Sequence, residues 1–495
     1  MSEFADQLPV FHVVGFTGHR RLKDGTAVAH AMQEVLGELQ REPGVSWLAL
    51  SSIAAGSDML FARTALQLGM GWEAVLPLPP AEFRGDFAAE EWREVEALLA
   101  EAEHVGVIGD RPARDDAYLD SGMETVNHCD VLLAVWDGEP SRGRGGTAEV
   151  VAYAREMGRP LIIINALTGT VRRENFARLR IGDRHLAHLN QLPSVALPDD
   201  VSGDEAPRRA MLAFHLKVDR AATCKTPDTR RLMVITLGLH VLAGVLATAT
   251  LAFDLHLALL PWGMLLGLLG GMAVALLLRH GREQHNWVRC RLAAEITRSA
   301  LATWGLPRAL RLFDDFDWAG LEPLRRSLDI LQRRAARARP AAFAEFKRRY
   351  IEERINGQLA YFAGLQSRAV PLLERLRAGF FLSSGFAIFF AGAYAMHRAL
   401  PGIEAPRWVP PWIYGFGPVV LPMLAAGFLA LVSINDLNRR VARYHEMRVR
   451  LENARKEAVF VQTWGALERV IAKTERALLQ EVFEWHSITS FSEND

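Results

Sequence analysis

Apolar and polar positions alternate in two different ways along this chain, and the change comes near residue 200. Before it, short apolar runs at 10–16, 46–51, 72–76, 104–108, 131–136 and 160–164 are separated by helix-like stretches at 27–40, 58–68, 90–101, 115–128 and 149–157. Near-continuous apolar runs are the pattern of parallel strands covered on both faces. Strand and helix in alternation predict an α/β, Rossmann-like doubly wound sheet.

After residue 200 the pattern lengthens. Four apolar runs, at about 232–253, 260–279, 379–397 and 412–434, each approach the ~20 residues that a membrane-spanning helix needs. They come as two pairs, with a short link at 254–256 and a longer, proline-rich one at 400–411. Buried helices of a soluble protein are the competing reading, and the near absence of charge argues against it. The second half is therefore expected to be an all-α, four-helix transmembrane domain with long cytoplasmic helices. Arg230, Arg231, Arg279, Arg282, Arg375, Arg377, Arg439, Arg440 and Arg443 flank the runs, whereas the links hold only Arg398 and Arg407. That bias predicts cytoplasmic N- and C-termini.

The predicted order is a nucleotide-binding domain over 1–200, a linker and juxtamembrane helix over 201–231, and a first hairpin with its following helix over 232–305. A helical segment over 306–378, a second hairpin over 379–434 and C-terminal helices over 435–495 complete it. Arg333, Arg334, Arg337 and Arg339 cluster in the middle segment and read as a solvated helix face near the membrane. His240, inside the first run, reads as a neutral imidazole bonded to a neighbouring helix. In the tail, Trp464, Leu467, Ile471, Leu478, Val482 and Trp485 form a stripe suited to a partner helix.

Charge adds an exclusion. Lysine plus arginine total 57 and aspartate plus glutamate 57, so no overall charge points to nucleic acid. Cys129, Cys224 and Cys290 lie far apart, which gives neither a disulfide framework nor a metal-ligand spacing. The polar, acidic opening does not read as a signal peptide.

The candidate chemistry sits where strands end. Residues 141–149, Ser-Arg-Gly-Arg-Gly-Gly-Thr-Ala-Glu, follow an apolar run and open a helix. Adjacent glycines let backbone approach a ligand, and a helix start favours an anion. Arg142 and Arg144 add cationic donors beside Gly145, Gly146, Thr147 and Glu149. A second turn of this type, Gly15-Phe16-Thr17-Gly18-His19-Arg20, ends the first predicted strand. Small residues recur from Ser52 to Gly56, and Ser57 or Asp58 is either a helix cap or a ligand contact. Asp137, at the carboxyl end of its strand, is a candidate ribose or base contact. Asp115 and Asp116 read as first-turn acids, with Tyr118 left open.

Three of these stretches, Gly15–Arg20, Ala55-Gly56-Ser57-Asp58 and Arg144–Glu149, resemble the SLOG superfamily of Rossmann-type nucleotide-binding domains, which includes the DprA-like and LOG-like proteins. In LOG enzymes the glycine turn reads Pro-Gly-Gly-x-Gly-Thr-x-x-Glu. Here no proline precedes the glycines, Val150 stands where that glutamate would be, and Glu149 falls one residue early, about a quarter turn round a helix. Residues 287–298 resemble the juxtamembrane helix of the SLATT family, two-span proteins expected to act as membrane effectors beside SLOG sensors, and the ending with Glu475, Leu479, Glu481 and Trp485 resembles a SLATT C-terminus.

The resemblance implies a nucleotide-signal-gated membrane effector, pore-forming or membrane-disrupting, of a bacterial antiphage system in the inner membrane. Its expected partners are a cyclic-nucleotide or ADP-ribose-type second messenger, the lipid bilayer, further copies of itself, and a signal-producing enzyme encoded nearby. No catalytic residue, metal or resident cofactor is expected. The alternative is a membrane-anchored LOG-like nucleotide N-glycosidase or hydrolase, with Glu149 or Asp137 as acid or base and Arg144 clamping phosphate.

Overall fold

A computed structural model describes residues 6–41, 44–108, 114–140, 144–179, 184–198, 205–224, 229–257, 259–279, 283–308, 310, 312, 320–338, 341–400, 406 and 409–491. The strands are β1 (Val10–Gly18), β2 (Val45–Ser51), β3 (Gly71–Leu76), β4 (His104–Val107), β5 (Val131–Trp136), β6 (Leu161–Asn165) and β7 (Val171–Glu174). The first helices are α1 (Gly25–Leu39), α2 (Ser57–Gln67), α3 (Pro80–Phe83), α4 (Ala89–Glu101), α5 (Arg114–His128), α6 (Thr147–Glu156), α7 (Arg184–Asn190) and α8 (Ala206–Cys224). Then come α9 (Thr229–Ala252), α10 (Leu259–Arg279), α11 (Glu283–Ala302), α12 (Glu322–Ala338), α13 (Phe343–Arg349), α14 (Gly357–Ala399), α15 (Gly417–Ile434), α16 (Leu437–Phe460) and α17 (Trp464–Phe491). The chain forms two compact units: Met1–Val218 with Ile296–Ala341, and Asp219–Glu295 with Ala342–Asp495.

The first unit is built on a seven-stranded sheet of order β4-β3-β2-β1-β5-β6-β7. All its pairings are parallel except β6 with β7. Val14, Phe16, Ala49, Trp72, Leu133 and Ile164, from five strands, are buried, as strands covered on both faces require. Starting from β1, the chain winds outward to β4. It then returns to lay β5 against the other side of β1, which opens a crevice at the carboxyl ends of that pair.

Two features escaped the hydrophobic pattern. The edge strand β7 reads Val-Arg-Arg-Glu and is largely exposed, so no apolar run marks it. The helix α12 lies across the amino ends of the strands as part of this unit. Ser327 Oγ donates to Pro9 O (2.6 Å), Arg333 Nη1 to Glu73 (2.8 Å) and Arg334 Nε to Glu103 (2.7 Å). Arg326 pairs with Asp130, whose carboxylate also accepts Val13 N–H (2.7 Å) and meets His12 Nδ1 at 3.2 Å. The arginines at 333 and 334 are thus partners of sheet carboxylates rather than a solvated face. Spacing along one helix says nothing of acids 200 or more residues upstream in sequence. The side chains of Arg337 and Arg339 lie outside the described residues. The expected segment 306–378 divides accordingly, residues up to 341 belonging to the sheet unit and the rest to the second.

Among the described residues of the second unit, four helices are long and apolar enough to cross a membrane, by length and composition. α9 packs on α10 and α15, and α14 on α15 and α16. Small residues allow the approach: a Cβ on Gly267 would lie 3.3 Å from that of Ala243. His240 bonds the Thr236 carbonyl of its own helix at 2.8 Å, not a neighbouring helix. The facing residue of α10 is Gly271, which has no side chain to offer. From the tail stripe Leu467, Ile471, Leu478 and Val482 are buried, and Trp464 packs on Phe343 and Phe346 at 5.2 and 5.6 Å. The Trp485 side chain lies outside the described residues.

The polar centre of this unit is Glu475 on α17. It is fully buried and accepts from Arg354 Nε (2.9 Å), Arg354 Nη2 (2.5 Å) and Tyr350 Oη (2.8 Å). Glu475→Gln strands the guanidinium in the interior and should destabilise the unit by about 3–5 kcal/mol. An Arg354→Met/Glu475→Leu double substitution should recover most of that, read as thermal unfolding of the detergent-solubilised full chain.

Candidate ligand-binding crevice

Strand ends build this site. Beyond β1, His19 N–H donates to Val135 O (3.2 Å), so the two central strands stay joined past Gly18. Across the gap, His19 Nε2 lies 3.1 Å from both the backbone N and the Oδ1 of Asp137; carrying its proton, it donates to the carboxylate. Glu139 N–H closes an Asx turn on Asp137 (3.0 Å). Burial alone would raise the Asp137 pKa, but the Glu139 N–H and His19 outweigh it and hold the carboxylate below its usual range.

The corner between β1 and α2 is knitted from small residues. Ser57 gives both its N–H (3.2 Å) and its hydroxyl (2.8 Å) to His19 O. Gly56 has φ +89°, and a Cβ there would stand 2.2 Å from Arg20 O. One on Gly18 would stand 2.3 Å from Ser57 Oγ, and one on Gly15, further down β1, 2.8 Å from Cys129 Cβ. Nearby, Ile53 is a buried β-branched residue at φ +52°, a strained conformation of the kind that clusters at functional sites. Ser57 therefore does not cap α2, since its hydroxyl is given to His19 O and Gly56 occupies the cap position.

Asp58 is the residue whose surroundings matter most. It is 3 % exposed and lines the crevice in the first turn of α2. Burial pushes its carboxyl up to about 8, against the opposing pull of the Ala54 N–H and the Arg20 charge. Near neutrality it is a neutral acid that places no charge in the path of an anion.

The opposite wall is the glycine turn. Gly145 has φ +77°, and a Cβ there would stand 2.7 Å from Leu119 N. Glu149 accepts the Gly145 N–H (2.6 Å), so this carboxylate closes its own loop. Thr147 begins α6, and neither α6 nor α2 is capped by a side chain. The start of α6 thus offers backbone N–H groups and a positive dipole end to the crevice, whereas the first N–H of α2 is already given to His19 O. At the rim Arg20 sits over the Tyr118 ring (5.4 Å), Arg114 pairs with Asp86 (2.5 Å) and Arg144 with Asp116 (3.0 Å).

The crevice encloses about 780 Å³, within the range of small-molecule sites. Thr17, Gly18, His19, Arg20, Ser52, Asp58, Asp137, Arg144, Gly145, Gly146 and Thr147 line it. Gly15, Gly56, Ser57 and Glu149 support it from behind. Arg142 lies outside the described residues. Arg21, Lys23, Arg114 and Trp136 also line it and went unremarked in the sequence, where no motif distinguishes them. Among the described residues no group of His, Cys, Asp and Glu could hold a metal ion. No protein-family model matches the chain, and comparison with curated proteins gives no match either.

With the Asp58 carboxyl pKa raised from 3.8 to about 8, the folded state keeps a proton that the unfolded chain has already lost. Stability should therefore fall as pH rises from about 4 to about 8, by at most ~1.4 kcal/mol per pH unit, then level off. Asp58→Asn should flatten this profile in pH-dependent thermal unfolding. It should also abolish the weakening of anion binding above pH 8, and a profile unchanged by the substitution would contradict the assignment.

Proposed function

We propose that this chain is a nucleotide-signal-gated membrane effector. Its sheet unit binds a phosphorylated second messenger in the crevice, and its apolar helices act on the bilayer as a pore or by disruption. The observation that carries this is the crevice itself. The uncapped start of α6, Arg20, Arg144 and a neutral Asp58 at the start of α2 meet at the switch point of a mostly parallel sheet. The same chain holds four helices apolar enough for lipid. The resemblance to SLOG sensors and SLATT effectors points the same way. It names the setting: a bacterial antiphage system, the inner membrane, cytoplasmic termini and a closed assembly of several copies. A cyclic nucleotide or an ADP-ribose derivative is the expected class of signal, supplied by a partner enzyme.

A ligand gates such an assembly only by binding one state better than the other, and a full switch takes ~5.5 kcal/mol of differential affinity. Phosphate groups on arginines and backbone N–H groups are strong enough to contribute on that scale, since hydrogen bonds to charged groups are worth about 1.5–3 kcal/mol each.

The hydrolase reading has one observation in its favour, a buried carboxyl in the crevice that stays protonated near neutrality. Against it, the Glu149 carboxylate is committed to Gly145 N–H and does not line the crevice. Incubating the full chain with nucleoside monophosphates separates the two. Turnover lost in Asp58→Asn would favour the enzyme; intact nucleotide favours the effector.

Arg20→Ala should weaken nucleotide binding by about 10–100-fold while leaving expression and membrane insertion unchanged, measured by calorimetry on the solubilised protein. Proteoliposomes carrying the wild-type chain should release an encapsulated dye only when the cognate nucleotide is added. Release that ignores every nucleotide would overturn the gating.

A further inference from the structure

The rim of the crevice is partly closed by its own residues. Arg144, on the glycine turn, pairs by charge with Asp116 on α5, Nε standing 3.0 Å from Oδ1 without the alignment of a hydrogen bond. Three residues near the start of α5 face this rim: Arg114 bound to Asp86, Asp116 bound to Arg144, and Tyr118 beneath Arg20. The other end of α5 runs directly into Cys129 and Asp130. There Asp130 holds Val13 N–H and pairs with Arg326 of α12. One helix of 15 residues, about 22 Å long, therefore joins the crevice to the place where α12 docks.

Packing along α5 leaves little play. Ser121 donates to Val75 O at 2.7 Å and shares a hydrogen bond with Ser52 at 2.9 Å. A Cβ on Gly122 would stand 2.5 Å from Val150 Cγ2, and Gly15 of β1 allows no Cβ beside Cys129. Close-packed interiors transmit displacement rather than absorb it. α12 itself is held to the sheet by directional contacts, Arg326 to Asp130, Arg333 to Glu73, Arg334 to Glu103 and Ser327 to Pro9.

We propose that the Arg144–Asp116 pair is an autoinhibitory latch which a ligand phosphate must open, and that α5 carries the opening to α12 through Asp130. This rests on the crevice being a phosphate-ligand site. The Arg144 side chain is 61 % accessible and that of Asp116 36 %, although the Oδ1 that faces Arg144 is itself buried. An accessible Arg144 makes the pair a weak one, so a phosphate that accepts from Arg144 competes with Asp116 for it. Asp116 then loses its partner and repels the incoming anion, and α5 shifts away from the turn.

Inorganic pyrophosphate and ADP-ribose serve as probes against the detergent-solubilised full chain. Asp116→Asn should bind them about two- to fivefold more tightly than wild type. The same Asp116→Asn change made in an Arg144→Ala background, where the pair is already gone, should give a smaller gain. Equal gains would reduce the effect to general charge and overturn the latch. No binding to any of the proteins overturns the crevice reading and the latch together; binding to all with no Asp116 effect overturns the latch alone. Hydrogen–deuterium exchange reads the second half. Saturating wild type with a probe that binds should change exchange across 322–338 and at the amino end of β1. Unchanged exchange there would overturn the route through α5.

Discussion

A parallel sheet can be covered on both faces only if the chain crosses over on both sides, and somewhere the winding must reverse. In this protein it reverses between β1 and β5. The crossover connections leave that point in opposite directions, so a gap opens at the carboxyl ends and cannot be filled by either of them. Everything chemical in the sheet unit collects there: two helix starts, two glycine turns, His19 on Asp137, and Asp58 underneath. The crevice is a by-product of topology, and the residues around it decide what it accepts.

Much of this was legible in the sequence because the relevant signals are local. The six apolar runs fall on β1 to β6 with ends shifted by a residue or two. The glycines at 18, 56 and 145 stand where a side chain would collide with backbone or with a neighbouring hydroxyl. The four lipid-compatible helices were equally plain, since length and apolarity are local too.

What stayed hidden depends on partners distant in sequence. Glu149 sits one position from a motif glutamate, yet its carboxylate serves Gly145 N–H. Asp58 reads as an ordinary first-turn acid until its burial is known. The arginines of α12 look like a solvated stripe until Glu73, Glu103 and Asp130 are placed opposite them. Edge strand β7 has no buried face to write a hydrophobic period into the sequence. In each case the sequence carries the residue but not its counterpart.

The placing of α12 has a consequence for how the protein is made. The sheet and the helix that closes its amino edge are separated in the chain by two apolar helices, α9 and α10. As synthesis proceeds from the N-terminus, the sheet waits with Glu73 and Glu103 lacking their arginines, and with Asp130 held only by Val13 N–H and His12, until residue 338 has left the ribosome. The first unit can mature only after the first hairpin has been handed to its own environment, which makes the order of those two events a matter of chain connectivity rather than of relative stability.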